Sequence, residues 1–144
     1  MERRKFLGYT AAAGAALMLN PFEGFAFTPG KKIRLVLVGT GHRGSGFWGN
    51  TLLQSFGEIV EFVGLCDINP GRLAYVKEML KISCPTFTDY KKMLGDTKPD
   101  YVIVTTVDAE HDNQIVTALE MGCDVITEKP MTTDEIKCKC TNRY

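Results

Sequence analysis

Ile33-Arg-Leu-Val-Leu-Val-Gly39-Thr-Gly41-His-Arg-Gly44 decides the fold. Its first six positions form a short aliphatic run, the pattern of a strand buried on both faces. The glycines after it, at i, i+2 and i+5, leave no room for another strand. Beyond them, Phe47, Trp48, Leu52 and Phe56 stand at helical spacing. Strand, glycine turn and helix therefore succeed one another without a linker.

The same alternation continues outward. Glu61–Cys66 reads as a second strand closed by Asp67, and Pro70 opens a helix carrying Leu73, Val76 and Leu80. Pro85–Phe87 is a brief third strand. Asp89 caps a short helix over Tyr90–Leu94, which Gly95 stops. Asp100–Thr105 is a fourth strand. A helix from about Ala109 to Met121 buries Ile115, Val116 and Leu119 and ends at Gly122, and Asp124–Thr127 is a fifth strand. Strands alternating with helices through short links predict an α/β fold, a doubly wound parallel sheet of the Rossmann type. The two-halved form has six strands in the order 3-2-1-4-5-6. Five are readable here.

In that context Gly39-x-Gly41-x-x-Gly44 becomes a dinucleotide loop. Gly39 permits the tight turn, Gly41 lets a pyrophosphate approach the backbone, and Gly44 lets the helix pack on the strand. Free N–H groups at the helix start then face the phosphates, with Thr40 within the same loop. His42 and Arg43 either add charge near the phosphates or point to solvent. Asp67 lies about 20 residues on, where a carboxylate accepts the adenosine ribose hydroxyls. A carboxylate there repels a 2′-phosphate, so NAD is expected over NADP. The nearest cation, Arg72, is expected to face solvent from the adjoining helix.

Three further segments complete a pattern. Thr105-Thr106 ends strand four, Asp108-Ala-Glu-His111 opens the next helix, and Glu128-Lys129-Pro130 comes after strand five. Glycine loop, Asp67-Ile-Asn-Pro70, Thr-Thr…His and Glu-Lys-Pro in this order resemble the Gfo/Idh/MocA oxidoreductase family over roughly Lys31 to Glu135. Val107 stands where the family often has Pro. The resemblance implies a nicotinamide cofactor and a sugar-like or polyol substrate. It implies that Lys129 sits near nicotinamide and substrate as a catalytic cation. It also implies that Glu128 orients cofactor or lysine and that Thr105 and Thr106 line the cofactor site. His111 is split between cofactor contact and a surface role, and Asp108 reads better as a helix cap than as a catalyst. The family also carries a second, α+β domain with the substrate pocket and usually an oligomer interface, so self-association of the full-length protein is expected. Two alternatives stay open: a glycosidase of the same fold that uses NAD without net redox change, and a cofactor-binding module without activity.

The remaining composition narrows the partners. The chain has 144 residues, with 17 basic against 17 acidic side chains. That balance provides no basic field for nucleic acid or a membrane surface. Residues 1–30 differ in character from the rest of the chain. Arg3-Arg4 precedes an apolar run from Phe6 to Leu19, and Gly24-Phe25-Ala26 offers a cleavage site. This layout resembles a twin-arginine signal, and the run is too short to span a bilayer. The expectation is a periplasmic protein with its dinucleotide-binding domain over 31–130. Residues 131–144 would begin a connecting helix, with a capping box from Thr132 to Glu135. The chain stops about where strand six should begin, and its last residues lose the apolar pattern, so a truncated or frame-shifted enzyme is expected. Cys138-x-Cys140 lacks metal-site spacing, no metal is expected, and Cys66 and Cys123 are expected to pack as small hydrophobes.

Overall fold

The computed structural model describes residues 30–141. The twin Arg, the apolar run after it and the cleavage site lie outside the described residues.

Five parallel strands form one sheet in the order β3-β2-β1-β4-β5. They are β1 (Ile33–Val38), β2 (Val60–Cys66), β3 (Thr86–Phe87), β4 (Tyr101–Val104) and β5 (Asp124–Thr127). Alternate residues of the β1 run feed opposite faces, as the pleat requires. Leu35 and Leu37 join Phe62, Leu65, Leu73, Val76, Leu80 and Ile103 on one side. Val36 and Val38 join Val102, Val104, Met93, Leu94, Ile115 and Ala118 on the other. Burial on both faces explains why Leu35–Val38 of β1 and the whole of β4 are unbroken apolar runs rather than alternating ones.

The helices divide between the faces accordingly. A π-wound segment Arg43–Thr51 runs into α1 (Leu52–Phe56) and, with α2 (Pro70–Met79), covers the first face. The second face is covered by α3 (Tyr90–Thr97) and α4 (His111–Glu120). A single turn of 3₁₀ helix, Asp108–Glu110, leads into α4, and α5 (Glu135–Thr141) closes the described chain. The chain builds β1, β2 and β3 in one direction, then returns to lay β4 against the other side of β1. That reversal leaves a crevice at the carboxyl ends of β1 and β4, where ligands bind in open α/β sheets.

Several local expectations need correction. The helix after the glycine loop is not a uniform α-helix. Its i→i+5 winding shifts the phase of the side chains, so Phe47 and Phe56 are about half exposed while Trp48, Leu52 and Leu53 pack on the core. Gly95 does not stop α3. The helix runs through it to Thr97 and ends at Lys98, whose φ of 44° is left-handed. Asp108 does not cap α4, because it lies inside the preceding 3₁₀ turn, and no side chain caps that turn. Before α5, Asp134 Oδ1 accepts from Ile136 N at 2.7 Å, so the capping role falls to Asp134 rather than Thr132.

Candidate functional site

Gly39, Asp67, Thr105 and Glu128 each come directly after a strand, so four separate segments deliver their residues to one edge of the sheet. At the centre is the glycine turn. Gly39 has φ +87°, and a Cβ there would lie 2.6 Å from the Thr105 carbonyl oxygen. A Cβ on Gly44 would collide with the Gly39 carbonyl oxygen and lie 2.7 Å from Thr105 Oγ1. These two positions are closed by the protein itself. Gly41 differs: a Cβ there would meet nothing within 4 Å. Bare backbone facing open space at the start of a helix is what a pyrophosphate needs. The residues present thus fit a dinucleotide.

Thr105 and Thr106 take separate tasks. Thr105 Oγ1 donates to the Gly39 carbonyl at 2.6 Å, tying the end of β4 to the glycine turn. Thr106 Oγ1 donates to Gln114 Oε1 at 2.7 Å, tying the same turn to α4.

Asp67 is buried, with its side chain 5% exposed. Its Oδ2 accepts from Thr40 N and Thr40 Oγ1, both at 2.8 Å. Its Oδ1 accepts from Asn69 N at 2.8 Å and lies 3.0 Å from Arg72 Nη2. Burial pushes the carboxyl up. The hydrogen bonds from Asn69 and Thr40 and the Arg72 cation outweigh burial and hold its pKa below the ordinary 3.8. Arg72 therefore does not simply face solvent. It lies against Asp67 while staying half exposed. Thr40, at 2% exposed, reaches inward to Asp67.

At the far side, Glu128 Oε1 accepts from Trp48 Nε1 at 2.8 Å and from Arg43 Nε at 3.1 Å and Nη2 at 2.5 Å. The Trp48 indole first, and Arg43 second, hold the Glu128 carboxyl below its ordinary value. Arg43 also lies 4.9 Å from the centre of the Phe47 ring. This bridge joins the helix after the glycine loop to the end of β5. His42 is exposed beside it.

His111 is 1% exposed. Its Nδ1 is 2.7 Å from the Pro130 carbonyl oxygen and its Nε2 is 3.1 Å from the Thr106 carbonyl oxygen. The ring thus spans the turn after β4 and the Glu-Lys-Pro loop. Lys129 stands between the two anchors of that loop, Glu128 and Pro130, and is exposed. Chemically, the edge offers an anion-binding turn, a buried carboxylate and an exposed cation on a fixed loop.

Nothing in the sequence pattern singles out Trp48 or Gln114. Trp48 reads as one member of an apolar face, and only the carboxylate at 128 shows why an N–H is useful there. Among the described residues no group of His, Cys, Asp and Glu is arranged to hold a metal, and no helix is long and apolar enough to cross a membrane.

A family model described as an oxidoreductase family with an NAD-binding Rossmann fold matches residues 33–140. A glycosyl hydrolase family 109 protein of Stenotrophomonas maltophilia is 31% identical over 142 residues, 88% of this chain and 30% of its own length. Among solved structures, the WlbA dehydrogenase of Chromobacterium violaceum in complex with NADH and UDP-GlcNAcA superposes with a TM-score of 0.72 at 30% identity. It covers 81% of this chain and 32% of its own. Scyllo-inositol dehydrogenase of Lactobacillus casei with bound NAD(H) and scyllo-inositol gives 0.70 at 25% identity, covering 78% of this chain and 32% of its own. The chain thus spans less than a third of the length of each.

Proposed function

The chain belongs to the Gfo/Idh/MocA oxidoreductase family, and from that premise we propose that it is the cofactor-binding domain of an NAD-dependent enzyme acting on a sugar, polyol or related carbohydrate. The observation that carries this reading is the contrast within the glycine turn. Gly39 and Gly44 are packed shut, whereas Gly41 opens onto the carboxyl edge of the sheet beside Asp67.

In this reading the backbone from Gly39 to Gly44 takes the pyrophosphate and Asp67 the adenosine ribose. Thr105 and Thr106 hold the floor of the crevice. Arg43, through Glu128, closes the side nearer β5, and His42 faces outward beside the phosphates. Hydride transfer is the chemistry the nicotinamide supplies when bound. Lys129 binds the reacting substrate oxygen and stabilises negative charge as it develops there. Glu128 and His111 keep Lys129 in place by fixing the loop on either side of it. Supporting the substrate class are the relatives, whose names include an inositol 2-dehydrogenase and a UDP-N-acetylglucosamine 3-dehydrogenase.

The similarity to a family 109 glycosyl hydrolase over 88% of the chain favours a second reading. There the same residues hold a cofactor that is oxidised and reduced within one cycle, with no net redox change. NADH absorbance during incubation with inositols, nucleotide sugars and glycosides separates the two. Net NADH accrual supports the dehydrogenase, and sugar release without it supports the glycosidase.

Residues 1–30 we read as a twin-arginine export signal and 31–130 as the Rossmann domain, giving a periplasmic protein. Arg3-Arg4 ahead of an apolar run supports this. Replacing both with Lys should abolish periplasmic accumulation, and unchanged accumulation would overturn it.

A further inference from the structure

Each nitrogen of the His111 ring faces a backbone carbonyl oxygen, Nδ1 that of Pro130 at 2.7 Å and Nε2 that of Thr106 at 3.1 Å. A carbonyl oxygen only accepts, so each contact is a hydrogen bond only when the ring nitrogen carries a proton. Neutral imidazole has one N–H. It makes one of the two bonds and sets a nitrogen lone pair against the other oxygen. Turning the ring over brings a C–H to each oxygen instead. Both bonds exist together only when both nitrogens are protonated.

Two carbonyl oxygens favour that charge. Burial at 1% exposure and the ring's place at the start of α4, the positive end of a helix, oppose it. Among the described residues no carboxylate is paired with the ring. Asp108 and Glu110 of the 3₁₀ turn are exposed, and Asp112 follows on α4. The loop brings Glu128 and Lys129. From α5 come Cys138 and the Glu135–Lys139 pair at 2.9 Å. From α3 comes Tyr90, whose hydroxyl donates to the Gln114 carbonyl at 2.8 Å. The neighbouring strands carry Tyr101 and Asp124, at their amino ends. With no fixed counter-ion, the second proton is set by the solution.

The turn after β4 has other ties, through Thr105 Oγ1 to the Gly39 carbonyl and Thr106 Oγ1 to Gln114 Oε1. The loop is held at Glu128, whose N–H donates to the Val104 carbonyl at 3.1 Å and whose Oε1 accepts from Trp48 and Arg43. Beyond Lys129, Pro130 has no N–H to give, and its carbonyl is fastened by His111. We propose that His111 is a positioning residue for Lys129 that acts through its charge: the doubly protonated ring ties the loop to the turn after β4, and loss of one proton breaks that tie on the far side of Lys129. This rests on the reading of Lys129 above and adds a pH dependence to its placement. Glu128 does not supply the same dependence near neutrality, because Trp48 and Arg43 hold its carboxyl below the ordinary value.

Nitrogen-15 NMR of the full chain tests this. The chain has two histidines, and the ring signals absent from His111→Gln belong to His111. The titration covers about pH 5 to about pH 8, where imidazole changes charge. At the acid end both His111 nitrogens should show protonated shifts, and at the alkaline end one should not. The amide signals of Lys129 and Met131 should move with the same midpoint as the ring. In His111→Gln, whose amide keeps one charge state throughout, those two signals should stay still. Should this variant fail to fold, the wild-type titration decides alone. A proton count on His111 that never changes in the folded protein would overturn the proposal. So would loop amides that stay put when it changes, or that still move in His111→Gln. NAD titration of the same samples reads the cofactor site separately. Ring and loop that titrate together in a chain that binds no NAD would uphold the clamp and overturn the cofactor reading.

Discussion

Gly44→Ala and Gly41→Ala should have opposite consequences, although both add one methyl group to the same turn. At Gly44 the new Cβ would run into the Gly39 carbonyl oxygen and sit 2.7 Å from Thr105 Oγ1. Both obstacles are held: Thr105 Oγ1 donates to that same carbonyl at 2.6 Å. Overpacking of this kind costs about 1–3 kcal/mol, and the displaced hydrogen bond adds about 1 kcal/mol. At about 4 °C per kcal/mol for a domain of this size, Tm should fall by about 10 °C. Gly41 has open space around it and an ordinary φ. Alanine there should leave Tm within about 2 °C of wild type, since substitutions away from packed features stay within about 0.5 kcal/mol. Its methyl group would stand where the pyrophosphate must approach, so NAD affinity should drop by about tenfold or more. Thermal melts followed by circular dichroism, paired with NAD titrations, read both effects. A Gly44→Ala protein that melts with wild type would refute the packing account. A Gly41→Ala protein that binds NAD normally would refute the placement of the pyrophosphate.

Glu128→Ala removes the acceptor of the Trp48 indole N–H and the partner of Arg43, and should lower Tm by a few degrees, about 1 kcal/mol for a partly exposed bridge. The freed indole should emit further to the red, and an unmoved spectrum would argue against the bridge. Asp67 has its folded pKa depressed, so its contribution to stability is full above its unfolded pKa and is lost as pH falls through the lower folded value. The Tm gap between wild type and Asp67→Asn should therefore be widest near neutrality and close below about pH 4. A gap that stays constant to about pH 2 would contradict this. Because NAD binds only the folded state, saturating NAD should raise the wild-type melting point, and a melt indifferent to NAD would count against the site.

The parts of the fold visible in the sequence are those where one local rule dominates. Val36 to Val38 and Val102 to Val104 are buried on both faces, so an apolar run at a glycine is enough to place β1 and the crevice. Asn69-Pro70 and Asp89 mark helix starts because capping acts within three residues. The hidden parts depend on distant or folded-back contacts. Arg43 and Glu128 are 85 residues apart, and nothing local to either announces the pair. Arg72 looks solvent-facing in the sequence because helical phase fixes its Cα but not the end of a long side chain. Gly95 reads as a stop, yet it lies within α3 and the left-handed turn that ends the helix falls at Lys98 instead. Phe47 and Phe56 are misplaced by the 3.6-residue period, which does not hold in a π-wound turn.

Trp48 offers the most direct test of whether a nicotinamide dinucleotide occupies the crevice at the carboxyl ends of β1 and β4. It is the chain's single tryptophan, and its indole N–H is bonded to Glu128 at the edge of that crevice. NADH absorbs where tryptophan emits. Titration with NADH should quench Trp48 emission saturably, raise sensitised NADH emission in parallel, and be reversed by added NAD. Tryptophan emission that declines only linearly with added NADH, with no sensitised signal and no reversal by NAD, would contradict that occupancy.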